Sequence, residues 1–192
     1  MTSATRTLRA RRLEAAALEL FTVRGFDAVT VDDLAAAGGV GRRTFFRYFP
    51  TKLDVVLGQL DDALASLVSA LAAVADDIDP VTAARRAFLE VNAYSPADVP
   101  VLLRRLALIE TVPEVAARAA VRYEAWERTV AADAARRWRC PASGLRPQVF
   151  ARVVVAAMRG VFTVWLSTPG ADATTLGTLV EEAFDDLARG FG

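Results

Sequence analysis

Apolar residues recur every three or four positions along almost the whole chain, and no segment alternates apolar and polar residues over the length of a strand. This spacing is typical of one face of an α-helix, which has 3.6 residues per turn. Leu13, Ala17 and Phe21, for example, share the apolar face of a first helix predicted over residues 5–24. The pattern therefore predicts an all-α protein.

Helix ends are marked by residues that stop or start a helix. Gly25 follows the first helix and suits the left-handed backbone of a C-terminus, where Phe26 can pack back on Phe21. Two capping boxes, Thr30–Asp33 and Thr51–Asp54, are expected to begin the second and fourth helices. Breaks at residues 76–79, 95–96, 140–144 and 169–172 separate the later helices, so that about nine helices are predicted.

Composition narrows the chemistry available to the chain. Apolar residues make up 54% and charged residues 24%, as in globular proteins. The only cysteine is Cys140 and histidine is absent from the sequence, so an internal disulfide, a Cys/His metal cluster and a Ser-His or Cys-His dyad are excluded. We expect no metal, no cofactor and no catalytic residue, although catalysis by carboxylates alone stays open.

Targeting and membrane signals are weak. The longest uncharged apolar stretch of the first half, residues 63–75, is too short to span a bilayer. Glu14 and Glu19 interrupt any signal-peptide core near the N-terminus. A cytoplasmic protein without a membrane partner is expected.

Residues 31–49 have the pattern of a helix-turn-helix. A short second helix ends at Gly38–Gly39, and a third follows over about residues 42–49. Phe45 and Phe49 fall on one side of the third helix and can anchor it. The other sides carry side chains that can bond to bases and phosphates in a major groove: Arg43, Thr44, Arg47 and Tyr48.

The charge distribution agrees with a polyanion bound at one end. The net charge is zero, but residues 1–55 contain nine basic and six acidic residues, so the remainder is acidic. Lys52 lies at the start of the fourth helix, beside free backbone amides that favour an anion such as phosphate.

Residues 20–35 and 39–52 resemble the TetR-family DNA-binding domain over essentially its whole length. The resemblance implies that Phe46 faces DNA together with Thr44 and Tyr48, that Thr30 and Lys52 meet phosphates, and that an arm from Arg6 to Arg12 lies near the DNA backbone. Gly41 departs from the family, which usually has serine or threonine there as the helix cap. The predicted DNA-binding residues are Thr30, Arg42, Arg43, Thr44, Phe46, Arg47, Tyr48 and Lys52. Residues 1–50 are the expected helix-turn-helix domain, and residues 51–192 the expected ligand-binding and dimerisation domain.

The eighth helix is apolar around most of its circumference, so both its own domain and a further surface must cover it. Together with the amphipathic ninth helix it could form a four-helix bundle between two subunits, as expected of TetR-like proteins. The alternative is a monomer in which the fourth to seventh helices cover both. The predicted dimer interface comprises Val154, Val161, Val164, Trp165, Val180, Phe184 and Leu187.

Large amphipathic side chains in the remaining helices suggest a ligand pocket, which is usually apolar with a few polar groups. Residues 106–113 and 122–126 are similar to a TetR subgroup associated with mycofactocin loci and acyl-coenzyme A ligands. A small hydrophobic effector such as an acyl-coenzyme A is therefore expected. The predicted ligand-binding residues are Phe88, Asn92, Arg105, Tyr123, Trp126, Met158, Arg159 and Phe162.

These observations predict a homodimeric repressor that binds a palindromic operator in double-stranded DNA and leaves it when the effector binds. Two other classes stay open at this point. One is an all-helical protein–protein adaptor with an incidental helix-turn-helix, and the other is a histidine-free enzyme that uses the helical pocket.

Overall fold

The computed structural model describes residues 3–191, and over these residues the chain forms nine α-helices and no strands. The all-α prediction is confirmed. The helices are α1 (Ser3–Arg24), α2 (Val31–Ala37), α3 (Arg42–Tyr48), α4 (Lys52–Ala73), α5 (Pro80–Val91), α6 (Val99–Thr111), α7 (Pro113–Trp138), α8 (Leu145–Ser167) and α9 (Ala173–Phe191).

The predicted stop and start signals lie where the sequence places them. Gly25 has a φ of 83°, and the rings of Phe21 and Phe26 lie 4.9 Å apart, so α1 ends as expected. Both capping boxes are present: the backbone N–H of Asp33 donates to the hydroxyl of Thr30, and Thr51 and Asp54 pair in the same way. Local side-chain chemistry therefore determines these helix ends.

The chain divides into two compact units. Unit 1 consists of Met1–Gln59 and Pro100–Ala119, and unit 2 of Leu60–Val99 and Ala120–Gly192. The division falls inside α4 and inside α7. These units are defined by packing, and the functional boundary at residue 50 stays a prediction.

Unit 1 contains the helix-turn-helix on a tightly packed scaffold. Leu13, Phe21, Leu34 and Phe45 are almost completely buried there. At the end of α2, a Cβ added to Gly38 would overlap Cδ1 of the buried Leu13, so a larger residue would displace the Leu13 side chain. The packing of α1 against the α2–α3 turn therefore fixes where α3 lies.

Unit 2 has a core made mainly by α5, α8 and α9. Phe88, Val154, Trp165 and Phe184 are buried in it. Arg85 of α5 pairs with two acidic residues of α9 on the surface of the unit, one of which is Asp185 at 2.7 Å. Apolar burial and these ion pairs join α5 to α9.

Two stretches, Arg42–Ala73 and Leu145–Ser167, have the length and mean hydropathy of a membrane-spanning helix. Core helices of soluble proteins have the same composition. Helix α8, which forms the second stretch, buries eight of its residues within unit 2. We therefore interpret its apolar character as packing.

Candidate functional site

Helix α3 is anchored by a buried residue on one side and exposes basic and aromatic residues on the other. Phe45 is fully buried and its ring lies 5.8 Å from that of Phe49, as the spacing predicts. The opposite side of α3 is exposed and carries Arg42, Arg43, Phe46 and Arg47. The first turn of the helix contains no acidic residue. These side chains suit contacts with both the backbone phosphates and the base edges of a nucleic acid.

Two of these exposed side chains are fixed by neighbours. Arg42 forms an ion pair with Asp32 of α2 at 2.9 Å, and its guanidinium carbon lies 5.4 Å from the centre of the Phe46 ring. The edge of Phe46 meets Phe45 with ring centres 5.6 Å apart. Arg42 therefore helps to position Phe46. Its ion pair with Asp32 makes its charge less available to a further anion.

Arg43 and Arg47 keep their charges available. Within residues 9–190, whose side chains the structure describes, neither guanidinium has an ion pair, and that of Arg47 lies 5.4 Å from the Tyr48 ring. Thr44 is half-buried between them. These two arginines are the strongest candidates for contact with nucleic acid.

Thr30 lies at the start of α2 and acts as its cap. Its hydroxyl donates to the carboxylate of Asp33 at 2.6 Å, and its backbone N–H donates to the same carboxylate at 2.8 Å. These bonds, with a further one from Arg24, hold the pKa of Asp33 well below its usual range. Thr30 is exposed, so a phosphate contact as well as the capping role is sterically open.

Lys52 has structural contacts in addition to its predicted role. Its Nζ donates to the backbone carbonyls of Phe26 at 2.7 Å and Val29 at 3.1 Å. The same ammonium lies 4.2 Å from the centre of the Phe26 ring. The two carbonyls take two of its three N–H donors, and the ring faces the positive charge. Lys52 therefore joins the start of α4 to the α1–α2 connection, and its contact with a phosphate stays a prediction.

Tyr48 also differs from expectation. Its hydroxyl was expected to reach a phosphate, but the oxygen is buried and has no hydrogen-bond partner among the described residues. A buried unpaired hydroxyl is unfavourable, and it cannot reach DNA without a change of rotamer. The side chain contributes its ring, which contacts Arg47, to the α3 surface.

The predicted basic arm is described only in part. The side chain of Arg6 lies outside the residues whose side chains are described. Arg11 and Arg12 are exposed on α1. Whether this arm contacts DNA stays a prediction.

Arg105 was predicted to direct a ligand, but it belongs to unit 1, whereas the other predicted ligand residues belong to unit 2. Its guanidinium is almost completely buried and pairs with the carboxylate of Glu14 on α1. It also donates to the side chain of Gln59 and, at 2.9 Å, to the backbone carbonyl of Val56, both on α4. A charge bonded in this way joins α6 to α1 and α4, so the ligand prediction for Arg105 is wrong.

Unit 2 contains the aromatic cluster that the ligand prediction requires. The ring of Phe88 lies 5.9 Å from both Trp126 and Phe184. The indole Nε1 of Trp126 is buried and has no hydrogen-bond partner among the described residues. Asn92 is buried and lies one helical turn after Phe88. Its Nδ2 donates to the carbonyl of Phe88 at 2.8 Å. A buried N–H without a partner is uncommon in folded proteins, so this indole is a candidate ligand contact.

The remaining predicted ligand residues lie on α7 and α8 of unit 2. Arg159 is exposed, and its guanidinium carbon lies 5.1 Å from the centre of the Tyr123 ring. Met158 is buried and Phe162 is half-buried. Arg159 therefore places a positive charge at the surface, over the ring of Tyr123.

An open groove of about 400 Å³ runs between α8 and α9. Val161, Val164 and Leu187 line it, together with Glu182 and Asp186. Val164 is 51% exposed although its neighbours are apolar. This groove provides the uncovered apolar surface that the composition of α8 predicts.

The other predicted interface residues lie in the core of unit 2 and not in the groove. Val154, Trp165, Val180 and Phe184 are completely buried within unit 2, so they pack its core and cannot contact a partner. The indole N–H of Trp165 donates to the carbonyl of Asp172 at 2.8 Å, inside the same unit. For α8, which is apolar around most of its circumference, periodicity alone did not separate the inner from the outer face.

Comparison with known proteins decides the family. The bacterial regulatory protein family of the tetR type matches residues 13–58, and the MftR C-terminal domain family matches residues 78–192. The chain belongs to the TetR family. It is 30% identical over 91% of its length, and 86% of the relative's, to a Mycobacterium tuberculosis protein named as a mycofactocin biosynthesis transcriptional regulator, MftR.

Other TetR relatives agree in sequence and structure. The HTH-type transcriptional regulator TcmR of Streptomyces glaucescens is 30% identical over 89% of this chain and 79% of its own length. The crystal structure of Thermus thermophilus FadR, a TetR-family repressor in complex with lauroyl-CoA, superimposes with a TM-score of 0.62. It is 26% identical, with 95% of each chain covered. This TetR-family chain is therefore a DNA-binding transcriptional regulator.

Proposed function

We propose that the chain is a homodimeric repressor that binds a palindromic operator through α3 and releases it when a small hydrophobic effector binds in unit 2. The exposed surface of α3 carries this proposal. Arg43 and Arg47 offer charges to phosphates or guanines, and Phe46 offers an apolar contact, while the buried Phe45 anchors the helix. We assign DNA binding to residues 1–50, and ligand binding and dimerisation to residues 51–192.

The effector proposal is supported by the aromatic cluster of Phe88, Trp126 and Phe184. Its rings suit an apolar ligand, and the unpaired N–H of Trp126 could donate to a carbonyl such as that of a thioester. Arg159 could bind an anionic group. The lauroyl-CoA complex of FadR makes acyl-coenzyme A the first class to test.

The dimer proposal is supported by the groove between α8 and α9. An exposed valine in an apolar groove is unfavourable in water, and a second copy of the same surface would cover it. Two subunits would place their α3 helices for half-sites about 34–36 Å apart, one helical turn of DNA. An effector that changes this separation would lower operator affinity. This mechanism includes no catalytic step and acts in the cytoplasm.

The test begins with double-stranded DNA selected from a random pool by the full-length protein. Lauroyl-CoA is then titrated into the complex while fluorescence anisotropy of the DNA and tryptophan emission of the protein are recorded. We expect release of the DNA and quenching of Trp126. The Trp126→Phe variant should keep DNA binding but lose most of the response, whereas Trp138→Phe, which changes a tryptophan outside the cluster, should retain it.

Three results would contradict separate parts of the proposal. Selection that recovers no DNA would contradict operator binding. DNA binding without any response to acyl-coenzyme A thioesters or free fatty acids would contradict the acyl effector. Turnover of the added thioester would support the enzyme alternative.

A further inference from the structure

Phe46 is an exposed aromatic ring on an otherwise charged surface. It is 41% exposed, and the exposed arginines of α3 flank it in sequence. Its edge contact with Phe45 and the guanidinium of Arg42 fix two of its sides. The ring therefore has one prepared orientation, and the surface that remains open is apolar.

The chemistry of this open surface limits what it can recognise. A phenyl ring has no hydrogen-bonding group for a phosphate oxygen or a base edge. In the major groove, the apolar group that a base pair presents is the C5-methyl of thymine. We propose that Phe46 determines operator specificity by contacting the 5-methyl group of one thymine in each half-site. This inference rests on the proposed binding of DNA by α3.

Asp32 and Arg42 support this role by position. The ion pair between them, at 2.9 Å, connects α2 to α3 and keeps the Arg42 guanidinium over the ring. Rotation of the Phe46 ring away from the DNA major groove would break its contact with Arg42 and its edge contact with Phe45. A ring restrained in this way loses less conformational freedom when it meets a methyl group.

The expected effect is small but specific. Burial of one methyl group strengthens binding about fourfold, so loss of the methyl from both half-sites should weaken it about fifteenfold. Deoxyuridine in place of thymidine removes only this methyl and keeps every hydrogen-bonding group of the base pair. It therefore separates methyl recognition from all other contacts.

The experiment uses the full-length protein and the duplex that it selects from random DNA. Each thymine of a half-site is replaced by deoxyuridine, singly and with its symmetry mate, and affinities are measured by anisotropy at one fixed salt concentration. We expect one symmetric pair at which wild type loses about fifteenfold. At this pair Phe46→Ala should bind the two duplexes within about twofold of each other, because its methyl contact is absent.

Two further variants separate the alternatives. Thr44→Ser removes the only other methyl group on the α3 surface and should keep the full deoxyuridine effect. Phe46→Leu keeps an apolar side chain and should retain about half of the free-energy effect, roughly fourfold for the pair. It also serves if Phe46→Ala has reduced helicity by circular dichroism.

The inference is overturned if wild type shows no deoxyuridine effect, if the effect persists in Phe46→Ala, or if Thr44→Ser abolishes it. Wild type that binds the selected DNA tightly with any of these results leaves the proposed DNA-binding function intact. Wild type that selects no DNA overturns both.

Discussion

The α3 surface and the α8–α9 groove both expose apolar side chains, but opposite charges surround them. Phe46 lies among arginines, whereas Val164 lies in a groove that contains Glu182 and Asp186. Basic surroundings favour a polyanion, and acidic surroundings disfavour it. At these two surfaces, the charges beside the exposed apolar residue indicate the class of partner.

Substitution of Val164 should have the largest effect and should separate the two surfaces. Val164→Asp places a charge where the proposed dimer would exclude water, so the dimer should dissociate on the order of 100-fold more readily or worse. Because Val164 is exposed in the single chain, the fold should be retained. Sedimentation equilibrium measures the change.

Val68→Asp is the matched control, because Val68 is 50% exposed on α4 and does not line the groove. It should leave the dimer unchanged. A Val164→Asp protein that remains dimeric would show that this groove is not the interface.

Gly38 tests whether the α3 surface depends on its scaffold. Gly38→Ala brings a Cβ against buried Leu13, and overpacking of this kind costs about 1–3 kcal/mol of the free energy of unfolding. DNA affinity should fall with it, while dimerisation should persist. Urea unfolding and sedimentation measure the two effects.

Gly58→Ala in α4 is the control, because nothing lies within 4 Å of its added Cβ. It should stabilise by up to about 1 kcal/mol, since alanine favours a helix over glycine. Equal destabilisation by both substitutions would contradict the proposed role of the Gly38 contact.

Arg47 and Lys52 test which positive charges of unit 1 meet DNA. Arg47→Met should reduce the slope of log affinity against log salt concentration by about one per subunit, because an available charge is lost. Lys52→Met should leave the slope unchanged and should instead lower the free energy of unfolding by about 1–3 kcal/mol, because two carbonyls lose their donor. If Lys52→Met reduces the slope as much as Arg47→Met does, Lys52 is a phosphate ligand after all.

Tyr48→Phe should have the smallest effect. It removes a buried hydroxyl without a partner, so the free energy of unfolding should rise by about 1 kcal/mol and DNA affinity should change less than about twofold. A tenfold loss of affinity, with no change in stability, would show that the hydroxyl rotates to meet a phosphate.

Local signals were sufficient to predict the helices and the turn. Helix ends are set by local signals, namely Gly25, the two capping boxes and the helix-opening prolines. Each of these signals involves only residues that are close in sequence, so it can be read from the sequence alone. The buried anchor Phe45 and the exposed arginines of α3 followed from helical spacing for the same reason. The missing cap at Gly41 was also visible, and no side-chain bond is present there.

Contacts between distant segments could not be predicted in this way. Arg105 meets Glu14 across 91 positions of the chain, and Lys52 meets carbonyls 23 and 26 positions away. Nothing in the spacing of either basic residue distinguishes such a bond from an exposed charge. Helix α8 presents a related difficulty, because a helix that is apolar around most of its circumference has little periodicity to show which side is open.

The Arg105 cluster has a consequence for the order in which the molecule can be made. Unit 1 needs both Met1–Gln59 and Pro100–Ala119, and Arg105 supplies the donor for Glu14 and for the carbonyl of Val56. A growing chain emerges from its N-terminus, so the helix-turn-helix leaves the ribosome long before the segment that completes its packing. The DNA-binding end is thus synthesised first but finished late, because Arg105 is added 91 residues after Glu14.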